Sequence, residues 1–179
     1  FTYIHNRVTR YKGKGVDGRS LNGTTLTWEG YPINAHYMLV CDGILQTDED
    51  MKKVQDMIDN APVDPETGQK INPFATYGTP QKGDLFYADT NGDGIVDQND
   101  RLVVSDGNLP KYNIGLSVDL KWKGIDLGIV MDASLGAHAY FNSKYLSTIV
   151  SQGTAIEQRV ADGRWYEGRE TPATFPRLY

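Results

Sequence analysis

The sequence has a single cysteine, Cys41, so it makes no internal disulfide, and no CxxC or Cys/His spacing points to zinc. It has no basic run. Its 18 Lys+Arg stand against 23 Asp+Glu for a net charge of −5, which argues against nucleic acid or an anionic membrane surface as partner. No apolar stretch approaches the ~20 residues that a transmembrane helix needs. The first residues, Phe1-Thr2-Tyr3-Ile4, lack the basic and apolar regions of a secretory signal peptide. A Walker A loop, a GxSxG elbow, an HExxH helix and a Cys/His pair are all missing, and no enzyme is read from the chain. His5, His36 and His138 lie far apart with no partner at ligand spacing, so solvated or packed imidazoles explain them better than a metal site does. Composition leaves a mildly acidic chain of 179 residues with 19 Gly and 11 Tyr, a length for one ordinary domain. The pattern along the chain points elsewhere.

From Tyr112 the apolar residues fall at every second position: Tyr112, Ile114, Leu116, Val118, Leu120 and Trp122. Asn113, Gly115, Ser117, Asp119 and Lys121 stand between them. After Lys123-Gly124 the alternation restarts with Ile125, Leu127, Ile129, Met131, Ala133 and Leu135. Period 2 sustained this long predicts strands with one apolar and one polar face, and the tight connection makes them a hairpin. Strands of ordinary domains run ~5–6 residues, whereas a tilted membrane-spanning strand needs ~9–11, which both runs reach. Tyr112 and Trp122 bracket the first run where a transmembrane barrel carries its aromatic girdles. The competing reading is a long hairpin of a soluble β-sandwich whose apolar face turns to a core.

The flanking stretches behave differently. A Gly/Ser/Thr/Asn-rich opening precedes a more apolar segment over residues 31–45. Thr47 with Asp50 three residues on forms a capping box, and Met51, Val54 and Ile58 make a helical stripe that packs most simply on the loop's own core. Pro62-Val63-Asp64-Pro65-Glu66-Thr67-Gly68 is turn chemistry. A second helix is expected over about 139–150. Short turns on one side and long loops on the other are the asymmetry of outer-membrane barrels. The expected fold class is therefore mainly all-β, a fragment of a large antiparallel transmembrane β-barrel with long extracellular loops containing short helices. Residues 1–10 are the end of a barrel strand, 11–110 a long extracellular loop, 111–135 a transmembrane β-hairpin and 136–179 a second extracellular loop. Three strands cannot close a barrel, which takes at least ~8. An open sheet would leave edge N–H and C=O groups unpaired in lipid at several kcal/mol each, so the chain is expected to be a piece of a larger one.

One segment carries site chemistry. Residues 89–100 read as an EF-hand-type calcium loop, with Asp89, Asn91 and Asp93 at positions 1, 3 and 5. Gly94 supplies the sharp turn, Ile95 a backbone carbonyl at position 7, Asp97 stands at position 9, and Asp100 closes the loop at position 12. Ca²⁺ takes six to eight oxygens, and this spacing wraps them around one point. A Glu usually fills position 12, and the shorter Asp100 reaches less far. An Asx-rich turn that stays empty is the bland alternative. No flanking helices are expected, since Gly83-Asp84-Leu85-Phe86-Tyr87 looks strand-like. Asp119, Asp126 and Asp132 are read as lumen-facing rather than as paired catalytic carboxylates. The loop aromatics Trp28, Tyr31, Tyr37, Tyr77, Trp165 and Tyr166 suit loop cores better than platforms for sugar rings or peptides.

Several stretches together resemble SusC/RagA-type TonB-linked (TonB-dependent) outer-membrane proteins. Glu29-Gly30-Tyr31-Pro32-Ile33 and Asp42-Gly43-Ile44-Leu45-Gln46 resemble that family's "EGYPIG…DGIFQ" segment. Gly83-Asp84-Leu85-Phe86-Tyr87-Ala88-Asp89, followed by Asn91-Gly92-Asp93-Gly94-Ile95, is similar to "GDLKYxDxNGDGxI". Asp100-Arg101 with Asn108-Leu109-Pro110-Lys111-Tyr112, Trp122-Lys123-Gly124-Ile125-Asp126-Leu127 and Thr171-Pro172-Ala173-Thr174-Phe175-Pro176-Arg177-Leu178 follow in family order. The resemblance implies a 22-stranded barrel with an N-terminal plug in the cell outer membrane. It also implies energy-coupled import of glycans or peptides with a SusD-like surface lipoprotein, TonB acting through a plug region not in this chain. Asn34-Ala35-His36 and Cys41 depart from the family pattern. A soluble β-rich, calcium-stabilised module that binds carbohydrate or protein is the alternative, and it requires the 112–135 apolar face to be covered by the chain's own residues.

Overall fold

In a computed structural model, which describes residues 1–12, 18–141 and 155–178, the protein is mainly β and built from antiparallel sheets. In chain order the strands are β1 (Thr2–Tyr3), β2 (Ser20–Asn22), β3 (Thr25–Thr27), β4 (Ala35–Met38), β5 (Cys41–Ile44), β6 (Leu85–Tyr87), β7 (Leu102–Ser105), β8 (Tyr112–Trp122) and β9 (Ile125–Leu135). The helices are α1 (Asp48–Asp59) and α2 (Gln158–Gly163). Among the described residues the sheets are open, and no helix is long and apolar enough to cross a membrane. The chain folds as two compact units: Phe1–Met38 with Val103–Tyr140, and Leu39–Leu102 with Phe141–Tyr179. The stretch 11–110, a single connection by its composition, thus contributes strands to both.

The first unit holds the long hairpin in a sheet of order β1-β8-β9. The register keeps like with like. Tyr112 faces Leu135, Ile114 faces Ala133, Leu116 faces Met131, Val118 faces Ile129, Leu120 faces Leu127 and Trp122 faces Ile125. On the other face Gly115 lies opposite Asp132 and Gly128 opposite Asp119, so each carboxylate stands beside a residue without a side chain. The turn residues Lys123 (φ 47°) and Gly124 (φ 86°) both take positive φ, the type I′ geometry whose twist matches the strands. The Lys123 amine sits 4.9 Å over the Trp122 ring. Of residues 1–10, Thr2–Tyr3 form β1 against Asn113 and Tyr112, and the Ile4 N–H continues the ladder to the Lys111 carbonyl (2.8 Å). Phe1 and Tyr3 gather on Tyr112 at this end, at ring distances of 6.2 and 5.3 Å.

A second sheet of the same unit runs β2-β3-β4-β7. Its centre is the directly opposed pair Leu26 and Ala35, which are fully buried. His36 is buried too, and its Nδ1 meets the Ser105 hydroxyl at 2.7 Å, the packed histidine of the sequence reading.

The second unit is organised by α1 and the β5–β6 pair. Thr47 caps α1 in both directions: its hydroxyl accepts from the Asp50 N–H (3.1 Å), and the Asp50 carboxylate accepts from the Thr47 N–H (2.9 Å). The expected stripe then packs inward. Val54 joins Leu45, Phe74, Phe86 and Val96 in the core, with Met51 and Ile58 against it. Asp64 turns the chain as its composition requires, accepting from the Glu66 N–H (2.9 Å) and the Thr67 hydroxyl (2.8 Å). The helix expected over 139–150 falls mostly outside the described residues, and the described 139–141 are not helical. The short α2 is an element that the sequence pattern does not announce.

Candidate metal centre and its support

The 89–100 loop is entered from a strand, β6, and followed by another, β7, with only a 3-10 turn (Gln98–Asp100) at its end. It is held by a ladder of Asx turns. Asp89 accepts from the Gly92 N–H on Oδ1 (2.7 Å) and from the Gly94 N–H on Oδ2 (2.8 Å). Asn91 Oδ1 accepts from the Asp93 N–H, and Asp93 Oδ1 from the Ile95 N–H, both at 2.8 Å. Gly94 takes φ 80° and lies tight against Pro62, so a Cβ there would be both strained and crowded.

Asp100 closes the ring from inside. It is fully buried; Oδ1 accepts from the Thr90 and Asn91 N–H groups (2.8 and 3.3 Å) and Oδ2 from the Asp97 N–H (2.8 Å). Asp97 in turn caps the last turn through the Asn99 N–H (2.6 Å). The loop is anchored to its unit by Val96, whose side chain enters the core and whose N–H donates to the Pro73 carbonyl (2.8 Å). The Gln98 amide reaches the Tyr77 hydroxyl at 2.5 Å.

Within this frame Asp89, Asn91, Asp93, Asp97 and Asp100 lie in one tight loop, with the Ile95 carbonyl in the same chain order. Among the described residues no three His, Cys, Asp or Glu side chains are already drawn together as a ligand cluster. The loop carboxylates are instead occupied by backbone N–H groups. Except for Asp100 Oδ1, which accepts from both Thr90 and Asn91, each of those oxygens accepts a single backbone N–H, and the donor set is all oxygen, the chemistry of a hard divalent cation. The residues fit such an ion in type, order and backbone turn.

Parts of three of the other quoted motifs meet in the second unit. The Arg177 guanidinium forks onto Asp84 (Nε to Oδ1 2.6 Å, Nη2 to Oδ2 3.3 Å) and reaches Gln81 Oε1 at 3.1 Å. The Arg177 backbone N–H donates to the Gly83 carbonyl (2.8 Å). Gly83 holds φ 90° under the Trp165 ring, where an added Cβ would collide with the indole. Gln46 bonds both ways with the Ala173 backbone (2.6 and 3.3 Å). Thus Leu45-Gln46, Gly83-Asp84 and Ala173 to Arg177 form one clamp. The sequence presents its parts but not the pairing, because a charge pair 93 residues apart leaves no local signal.

The loop aromatics have ring or cation neighbours to different degrees, and Tyr77 and Tyr166 stay exposed. Trp28 stacks on Tyr31 (5.6 Å, 12°), Tyr77 lies against Tyr87 (6.2 Å), and the Arg169 guanidinium lies over Tyr166 (5.7 Å). No family model matches the chain, and no curated protein matches it.

Proposed function

We propose that this chain is part of a TonB-dependent outer-membrane transporter of the SusC/RagA type, importing glycans or peptides together with a SusD-like lipoprotein. The observation that carries the reading is the bare apolar face of the β8–β9 hairpin. Leu116, Leu120, Ile125 and Leu127 are 48, 55, 64 and 50% exposed, and of the apolar set only Val118 is even half-buried. Each such half-exposed side chain forgoes about 1 kcal/mol while it stays in water. A soluble module would have to cover this face with its own residues, and among the described residues of the hairpin's own unit none does.

Dimensions agree. An 11-residue strand is about 36 Å long at ~3.3 Å per residue, and tilted by ~45° it rises about 25 Å, the height of a barrel's apolar band. Tyr112 and Trp122 stand at its two ends. Among the described residues β9 has no strand on its outer side, and β8 beyond Asn113 has only β9, so both edges offer backbone groups to neighbouring strands. In lipid those groups need partners.

In this reading the hairpin is lipid-facing wall, and Asp119, Asp126 and Asp132 face a wet lumen. The second unit is an extracellular loop domain whose 89–100 segment holds Ca²⁺ through Asp89, Asn91, Asp93, the Ile95 carbonyl, Asp97 and Asp100. Calcium supplies charge neutralisation and a fixed loop geometry; it does no chemistry on a substrate. The test is reconstitution: the protein should float with phospholipid vesicles through a density gradient and resist carbonate extraction. A protein that stays monodisperse in water without detergent and fails to float removes the reading.

A further inference from the structure

The sequence contains two Asn-Gly dipeptides, Asn22-Gly23 in the β2–β3 turn and Asn91-Gly92 inside the 89–100 loop. We infer that Asn91 is a site of spontaneous deamidation that is open in the cation-free loop and closed when the loop holds its cation. The gate rests on the calcium reading above; the chemistry of the site does not.

The reaction needs the Gly92 amide nitrogen to reach the Asn91 side-chain carbonyl carbon. Both residues are exposed, and a Cβ placed on Gly92 would meet nothing within 4 Å, so no packed neighbour crowds the dipeptide. The Gly92 nitrogen forms a bond to Asn91 Cγ and gives up its proton. The bond from Cγ to Nδ2 breaks, and the nitrogen leaves as ammonia. Water then opens the succinimide at one carbonyl or the other, leaving an aspartate or an isoaspartate in place of Asn91. No oxidant or reductant enters.

The surrounding bonds say what controls the step. The Gly92 N–H, whose proton must leave, donates to Asp89 Oδ1 (2.7 Å). The Asn91 carboxamide, whose carbon must turn toward Gly92, is held by the Asp93 N–H on Oδ1 (2.8 Å) and by donation from Nδ2 to Asp93 Oδ2 (3.1 Å). Asp89, Asn91 and Asp93 are also the first three ligands in loop order. A bound cation therefore pins the groups that must move. Release leaves only hydrogen bonds between exposed groups. The two products differ. The aspartate keeps an oxygen at the third loop position and adds a charge, whereas the isoaspartate lengthens the backbone and spoils the register of the ligands.

If attack occurs only from the cation-free loop, its rate falls by the factor 1 + [Ca²⁺]/Kd, about a hundredfold at 100 times Kd. The intact protein in detergent is incubated in CaCl₂ or in EGTA at matched ionic strength, and amide-to-acid conversion at Asn91 and Asn22 is followed by peptide mass spectrometry. Calcium affinity is measured by calorimetry on the same sample. Expected is conversion at Asn91 that calcium suppresses, with a midpoint at the calorimetric Kd, while Asn22 converts equally in both buffers. Calorimetric binding with equal Asn91 rates, or with no conversion in EGTA, overturns the inference and leaves the calcium site standing. Failure of calorimetric binding sinks the calcium reading, and the gate with it.

Discussion

Removal of the Arg177 side chain should loosen the clamp that gathers three of the sequence motifs. Asp84 is buried and its partner is one-third exposed, with side-chain accessibilities of 11 and 33%. Breaking a fully buried pair costs about 3–5 kcal/mol and a surface pair about 0–1, so this one falls between. After Arg177→Ala, Asp84 keeps the Gln81 N–H (2.9 Å), which limits the penalty to about 2–3 kcal/mol. Hydrogen exchange reads the loss directly. The Trp165 N–H is bonded to Phe175 (2.9 Å) and the Ala173 N–H to Gln46 (2.6 Å), and both depend on the docked C-terminal segment. Their protection should fall about 30- to 150-fold, since 1.4 kcal/mol is tenfold. Arg177→Lys keeps the charge but not the fork and should lose about half that free energy. A loss in Arg177→Ala below about threefold, under ~0.7 kcal/mol, would refute the clamp as a source of local stability.

Other consequences follow from the second unit and the hairpin. The Thr47 N–H, then that of Gln46, holds the Asp50 carboxyl below its ordinary 3.8. The depressed folded value means its contribution is present above 3.8 and lost as pH falls through the lower folded value, so α1 should fray below that pH; an acid profile of α1 amide shifts that Asp50→Ala leaves unaltered counts against this. Thr47→Ala should cost about 1 kcal/mol in denaturant titration, and Val54→Ala, which empties part of the core, about 2 kcal/mol. Calcium should protect residues 84–105 from protease, and Asp93→Ala should abolish that protection; if chelation leaves the parent's cleavage unchanged, the calcium claim fails. In the proposed barrel, Leu116→Arg should lower stability by about 2–4 kcal/mol in bilayers, with Ser117→Arg on the opposite face far milder.

The hairpin was legible residue by residue because period 2 over eleven positions and a Lys-Gly turn leave one register, and all eleven pairs follow it. α1 was legible through Thr47 and Asp50, whose side chains signal a helix start whatever the surroundings. The turn ladder of residues 89–100 was legible because its Asp and Asn residues bond within a few positions of one another. The β2-β3-β4-β7 sheet was not, since strands of three or four residues carry too few alternations to rise above the loop composition. α2 is six residues without a side-chain cap, which removes both stripe and start signal. The Asp84–Arg177 fork and the interleaving of the chain through two units depend on tertiary packing that no local pattern encodes.

The most direct test of the central claim is a nitroxide scan of the hairpin in bilayers, on a Cys41→Ser background that removes the one exposed thiol. Labels at 114, 116, 118, 127, 129 and 131 should collide freely with oxygen and hardly with a water-soluble nickel chelate. Labels at 115, 117, 119, 128, 130 and 132 should do the reverse, giving a two-residue period along both strands. If the first set is shielded from both reagents, the face is covered by protein and the lipid-facing account is contradicted.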